Sequence, residues 1–209
     1  MEKIIFYHNP MSRGQIVHWM LEESGAAYET RIIDFATKEH KGPTFLAINP
    51  MGKIPAITYK GTVVTECAAI CAFLADLFPK QNLAPAVELP QRGTYLRWMF
   101  FAAACLESAI YDKAFPRVAT ASAGTLGYGS YEDTIKTVEG ALRPGPFLLG
   151  QQFTAADLYM ASQIRYGLMF KTVEERPGFA AYVERCTNRP AFIRQQEQSK
   201  VMIEQLKKS

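Results

Sequence analysis

Three short stretches carry side chains able to hold a small, charged ligand. Ser12 stands just before a helical pattern in which Ile16, Val17, Met20 and Leu21 share a face. A hydroxyl at a helix N-terminus lies among unpaired backbone amides and the positive end of the helix dipole. It can therefore steady a thiolate or a carboxylate, or serve as an ordinary N-cap contributing about 1 kcal/mol. The second stretch runs Asn49-Pro50-Met51-Gly52-Lys53-Ile54-Pro55-Ala56-Ile57. Asn-Pro starts a turn, Gly52 supplies a backbone angle other residues avoid, and a residue before proline is pushed into an extended conformation. This is either a surface turn leading into a buried strand or a strand edge that offers Ile54 to a peptide-like ligand. The third is Thr65-Glu66-Cys67, at the start of another helix. Glu66 suits the helix dipole there and could also meet a ligand ammonium, with Cys67 facing a carboxylate. Lys53, helped by His40 or Lys41, could take a second carboxylate. A tripeptide with one amine, two carboxylates and a thiol would satisfy all of these groups.

The elements that must position them read as two blocks. Lys3–Tyr7 reads as a strand, Ser12 to Gly25 as a capped helix and Tyr28–Phe35 as a second strand, a βαβ unit. Thr37–Ala47 reads as irregular with a short helix. Ala56–Tyr59 and Val63–Thr65 form a hairpin around Lys60-Gly61, and Glu66–Phe78 a helix ended by Pro79. The first eighty residues thus predict an α/β thioredoxin-like domain. Residues 81–90, with Pro85 and Pro90, read as a linker. Residues 91–209 lack strand signals and predict an all-α helical domain, with helices over Gln91–Phe115, Tyr131–Leu142, a segment from Thr154 to about Phe170, Glu174–Cys186 and Pro190–Gln198. Ala119–Ser130 reads as a flexible loop. Phe153-Thr154-Ala155-Ala156-Asp157-Leu158 combines a capping box with a hydrophobic staple.

Composition narrows the function. The 209 residues are 48% hydrophobic and 21% charged, with a formal net charge of +3 that is too small and scattered for a nucleic-acid partner. No run of eighteen apolar residues predicts a membrane span. The N-terminus lacks the pattern of a signal peptide, so a cytoplasmic location is expected. The four cysteines (Cys67, Cys71, Cys105 and Cys186) fit neither a zinc site nor a Cys-x-x-Cys redox pair, so they are expected to be free thiols, and no metal is expected. The tetrapeptide opening the first helix is Asn9-Pro10-Met11-Ser12, without cysteine, so any thiol chemistry must use a thiol from the ligand.

Taken in order, the motifs resemble those of the glutathione transferases. The resemblance rests on Tyr7-His8-Asn9-Pro10-Met11-Ser12-Arg13, Glu39-His40-Lys41, Asn49 to Ala56, Thr65-Glu66-Cys67-Ala68-Ala69-Ile70 and Phe153 to Asp157, and it covers both blocks. It implies glutathione as co-substrate, a cis Pro55, and Ile54 pairing its backbone with the cysteinyl unit as an added strand. It places Lys53 and His40 or Lys41 near the glycyl carboxylate and Glu66 with Cys67 at the γ-glutamyl end. Ser12 stands where the serine- and cysteine-type classes place the group facing the sulfur. Tyr7 is the rival for that role, and Asn9 and Arg13 are candidate helpers. The second substrate, an apolar electrophile, is expected in a pocket with Tyr7, Asn9, Tyr111 and Phe115, although both aromatics at 111 and 115 would also serve as core. The family implies a homodimer. Isomerase, dehalogenase or peroxidase chemistry on the same fold, or a non-enzymatic binding module, are the alternatives. Cys67 departs from the family's serine and offers a weaker donor.

Overall fold

The chain alternates short β-branched strands with helices in its first third because Ile4-Ile5-Phe6-Tyr7 and Ala56-Ile57-Thr58-Tyr59 suit a pleated, buried surface. The computed structural model describes residues 2–116 and 121–207. Strands β1 (Ile4–His8), β2 (Tyr28–Ile32), β3 (Ala56–Tyr59) and β4 (Thr62–Thr65) form one mixed sheet in the order β2-β1-β3-β4. β1 and β2 are parallel and are joined through helix α1 (Gly14–Ser24); β1–β3 and β3–β4 are antiparallel. The β3–β4 turn uses Lys60 and Gly61 with φ of 49° and 78°, the positive values a tight hairpin requires. A short helix α2 (Pro43–Leu46) precedes β3, and α3 (Cys67–Leu77) follows β4.

Alternation along β1 divides its side chains between two faces. Phe6 and His8 point toward α1, where the rings of Phe6, His8 and His18 meet at centroid distances of 4.6 to 6.0 Å. Tyr7 points the other way into a cluster with Ile33, Phe45 and Ala56.

The helical part comprises α4 (Gln91–Phe100), a π-helical stretch over Phe101–Leu106, α5 (Glu107–Ala114), α6 (Tyr131–Leu142), α7 (Ala155–Met169) and α8 (Phe179–Thr187). The single helix expected over Gln91–Phe115 is therefore one continuous helical run with a wider turn in its middle. The Thr154–Asp157 capping box forms. The Asp157 carboxylate also receives the Leu148 amide at 2.7 Å and the Tyr182 hydroxyl at 2.9 Å. Helix α8 starts later than Glu174, because 174–178 carries Pro177 and a Gly178 at φ 89°. The expected loop 119–130 begins within 117–120, outside the described residues.

The chain divides into two compact units, 1–81 with 189–209, and 82–188. The division departs from a helical domain running to residue 209. The last helix, α9 (Pro190–Leu206), packs on α1 and belongs to the sheet-containing unit. The reason lies in the chemistry of the two faces. Ala191, Gln195 and Ser199 are buried at intervals of four. Gln195 donates to Gln15 and to Ser199, Gln198 meets His18 at 2.7 Å, Arg189 forms a two-pronged ion pair with Glu23, and Trp19 packs edge-on against Phe192. The helix also runs well past Gln198, to Leu206.

Candidate functional site

Strand register brings the three stretches together. Tyr7 is paired with Ala56, and Ala56 with Thr65, so these three residues form one row across the sheet. One step beyond the row, β1 leads through His8 toward Ser12, β3 is entered from Pro55, and β4 passes into Glu66. Residues from three separate stretches of the sequence thus gather at one end of one sheet.

At the first of these positions the loop is tied down by Asn9. Its buried side chain donates to the Ile33 carbonyl at 2.9 Å and accepts the Met11 amide at 2.9 Å. Asn9 is accordingly a strut between β1 and the end of β2. The Tyr7 ring is 7% exposed and lies edge-on to Phe45. Ser12 stands one residue before the cap position, which Arg13 occupies. The half-buried Ser12 hydroxyl donates to the Asn9 carbonyl at 2.6 Å and accepts the Gly14 amide at 2.9 Å. It therefore does the work of a cap from one position earlier, and its proton is held by the loop. To donate to a sulfur it must release Asn9.

A glycine follows at 14 because the space is taken. A Cβ there would lie 2.3 Å from His8 Nδ1 and 2.9 Å from Ser12 Oγ. His8 is fully buried, with neither ring nitrogen hydrogen-bonded among the described residues, and burial with the neighbouring His18 lowers its pKa to about 3.

The second position repeats the first. In Asn49-Pro50-Met51, as in Asn9-Pro10-Met11, the asparagine Oδ1 accepts the methionine amide two residues on, at 3.1 Å. Asn49 Nδ2 then donates to the Lys53 carbonyl at 2.8 Å, which fixes the backbone leading into Ile54. Sequence reading used Asn49 only as a turn signal; its positioning role could have been suspected from the repeated Asn-Pro-Met. Gly52 has φ 59°, and a Cβ there would come within 2.6 Å of the His40 carbonyl and 2.8 Å of Lys41 Nζ. The Ile54–Pro55 peptide is cis. Neither the amide nor the carbonyl of Ile54 is hydrogen-bonded among the described residues, so this edge can pair with an extended ligand. The Lys53 side chain is exposed and has no partner among the described residues. Lys41 instead donates to the Met51 carbonyl at 2.9 Å, and His40 packs edge-on against Phe35 with its Nδ1 buried and unpartnered.

At the third position Glu66 adopts φ 65°, ψ 122°, a backbone conformation sparsely used by side-chain-bearing residues. Its carboxylate is exposed and has no partner among the described residues. Cys67 is buried, and its thiol donates to the Arg13 carbonyl across 3.8 Å, so the starts of α3 and α1 touch through it. One turn on, Cys71 is buried, and burial together with Cys67 pushes its thiol well up. All four cysteines are free thiols. No group of three or more metal-ligating side chains occurs among the described residues, and no described helix is long and apolar enough to cross a membrane.

The helical unit holds a cavity of about 370 Å³ lined by Glu107, Ser108, Tyr111 and Asp112 of α5 and by Tyr128. Tyr111 is one of the residues lining this cavity. Phe115 stacks on it at 6.1 Å and is 66% exposed, so neither ring is core. The lining is mostly polar, unlike the apolar cleft expected for the second substrate.

A four-stranded mixed sheet with a cis-proline strand entry, two helix starts beside it and a following helical unit define a thioredoxin-like fold with a helical second unit. Comparison with known proteins agrees. The glutathione S-transferase N-terminal domain matches residues 11–77 and the C-terminal domain of the same family matches 132–190. Glutathione S-transferase GstA of Escherichia coli O157:H7 is 28% identical over 187 residues, covering 88% of this chain and 92% of that protein. A glutathione transferase crystal structure from Methylococcus capsulatus superposes with a TM-score of 0.79 at 26% identity, covering 95% and 99% of the two chains. A glutathione transferase homologue from Sulfitobacter, solved with bound glutathione, gives 0.76 at 25% identity over 95% and 99%. The chain belongs to the glutathione S-transferase family.

Proposed function

We propose that this chain binds glutathione at the end of the sheet and activates its thiol for attack on an electrophile. The observation that carries the proposal is the row Tyr7–Ala56–Thr65, which aligns Ser12, the unpaired Ile54 backbone and the free Glu66 carboxylate. Glutathione would lie extended along Ile54, its γ-glutamyl ammonium at Glu66 and its α-carboxylate at the α3 N-terminus beside Cys67. The glycyl carboxylate would meet Lys53, with His40 and Lys41 beside it. Because Lys41 already serves the Met51 carbonyl, Lys53 carries the larger share.

The Ser12 hydroxyl rotates from the Asn9 carbonyl to donate to the sulfur, aided by the amides at the start of α1. The thiol proton leaves to solvent. A fall of about two in the thiol's pKa corresponds to about 2.7 kcal/mol in favour of the thiolate. The thiolate then forms a carbon–sulfur bond to an aryl or alkyl halide while the carbon–halogen bond breaks and halide departs. The Tyr7 ring is packed against Phe45, which favours Ser12 as the group facing the sulfur. The protein would work as a homodimer, which light scattering of the purified chain tests. Calorimetric titration with glutathione tests the whole reading: binding in the micromolar to low millimolar range, with conjugation of 1-chloro-2,4-dinitrobenzene, supports it. No heat of binding and no conjugation would leave a non-enzymatic module.

A further inference from the structure

The loop that carries Ser12 is held from the far end of the chain. Gln15, in the first turn of α1, donates through Nε2 to the Pro10 carbonyl at 2.6 Å, and Pro10 stands two residues before Ser12. The other end of the same amide faces α9. Gln15 Oε1 accepts from Gln195 Nε2, 180 positions away in sequence, and from the Ser199 hydroxyl at 3.1 Å. Gln195 and Ser199 are themselves buried and are joined by a 2.8 Å bond. Fully buried His18 borders the pair, with its Nδ1 3.5 Å from Gln195 Nε2 and 3.4 Å from Ser199 Oγ. All of these residues belong to one compact unit.

An amide side chain carries an acceptor at one end and donors at the other, and a half-turn exchanges them. The two donors from α9 settle which way Gln15 faces. Turned over, its oxygen would meet the Pro10 carbonyl and its nitrogen would meet the nitrogen of Gln195. The loop is thus fixed at two points, by Asn9 to the Ile33 carbonyl and by Gln15 to Pro10. Between them the Ser12 hydroxyl keeps its place against the Asn9 carbonyl and the Gly14 amide.

We propose that Gln195 and Ser199 are positioning residues: by orienting Gln15 they let α9 hold the Ser12 loop, and so set the acidity of a thiol bound there. This deepens the glutathione-transferase reading and rests on it for the thiol. The effect reaches the sulfur only through Gln15, which gives it a signature that helix docking alone lacks.

Two measurements on the full chain keep the loop and the chemistry apart. In the ligand-free protein, hydrogen exchange at the Ser12 and Gly14 amides should quicken about tenfold in Gln195→Leu with Ser199→Ala. In the glutathione complex, ultraviolet titration of the thiolate should show the thiol pKa raised by about one, a tenfold loss of acidity, with the glutathione Kd within about threefold of wild type. Gln15→Leu should reproduce both changes, and adding the two α9 substitutions to it should move them no further. Ser199→Thr, which keeps the hydroxyl, should behave as wild type. Phe192→Ala, which removes the packing of α9 on Trp19, should lower the melting temperature and leave both readings as in wild type. Unchanged exchange at Ser12 and Gly14, an unmoved thiol pKa, effects that add to those of Gln15→Leu, or an equal shift in Phe192→Ala overturns the proposal. Quickened exchange in a protein whose wild type forms no glutathione thiolate upholds the hold of α9 on the loop and overturns the transferase reading instead.

Discussion

At the scale of single residues, the Ser12 hydroxyl has two partners inside the protein before any ligand arrives. Ser12→Ala therefore removes both a turn-stabilising group and the proposed sulfur contact, and the two losses are separable. Thermal denaturation should show a cost of about 1 kcal/mol, as for a lost cap. The kcat for 1-chloro-2,4-dinitrobenzene should fall about 100-fold, as for a lost preorganised donor, while the glutathione Kd stays within about threefold. Turnover equal to wild type at neutral pH would remove Ser12 from the chemistry. Cys67 offers a second test. A hydroxyl is a better donor than a thiol, and the Arg13 carbonyl holds the present thiol only across 3.8 Å. Cys67→Ser should tighten glutathione binding by up to about tenfold, a gain of about 1.4 kcal/mol in calorimetry. An unchanged Kd would mean that the side chain at 67 serves the α1–α3 contact alone.

Elements are held in place by groups outside the ligand's reach. The turn before β3 owes its shape to Gly52, which combines a φ of 59° with a carbonyl of His40 only 2.6 Å from where a Cβ would stand. Gly52→Ala should cost roughly 2 kcal/mol in denaturant unfolding and weaken glutathione binding, because Lys53 and Ile54 follow directly. If the variant were as stable as wild type, the crowding at His40 would have to relax without cost. In the helical unit, buried Asp157 accepts bonds from the Leu148 and Thr154 amides and from the Tyr182 and Thr154 hydroxyls. Its carboxyl is pushed up by burial and pulled down by those bonds, with burial the stronger. Asp157→Ala leaves two amides and two hydroxyls without their acceptor and should destabilise by about 3 kcal/mol or more, with little effect on the glutathione Kd. Loss of glutathione binding without loss of stability would contradict a purely structural role.

For the whole molecule, the two buried histidines make stability depend on acid. His8 is lowered to about 3 and His18 is lowered, in both cases chiefly by burial. A histidine whose folded pKa lies below its unfolded value of 6.5 is neutral in the fold and takes up a proton on unfolding. Its contribution is full above pH 6.5 and is lost as pH falls from there toward 3 for His8. Each such histidine can cost up to about 1.4 kcal/mol per pH unit over that window. Urea unfolding at pH 7.5 and pH 5 should show the loss, and His8→Leu should remove the part due to His8. A variant with the same pH slope as wild type would place the titration elsewhere.

Much of this molecule was legible in its sequence for a local reason. Periodicity, turn chemistry and caps act over a few residues, so the βαβ unit, the hairpin at Lys60-Gly61, the helix Tyr131–Leu142 and the Thr154–Asp157 box appear where the residues place them. The residue types at Ser12, Lys53-Ile54-Pro55 and Glu66 are the ones on which the proposed glutathione site draws. Other features depended on contacts that sequence spacing does not encode. Only the tertiary structure turned Asn9 toward Ile33 and Tyr7 toward Phe45. It occupied Lys41 with a carbonyl and Cys67 with the start of α1. It also seated α9 against α1 through glutamine and histidine side chains. The difference is physical. Backbone preferences are properties of neighbours in the chain, whereas a hydrogen bond's second partner is chosen by whichever distant group the packed fold brings within 3 Å.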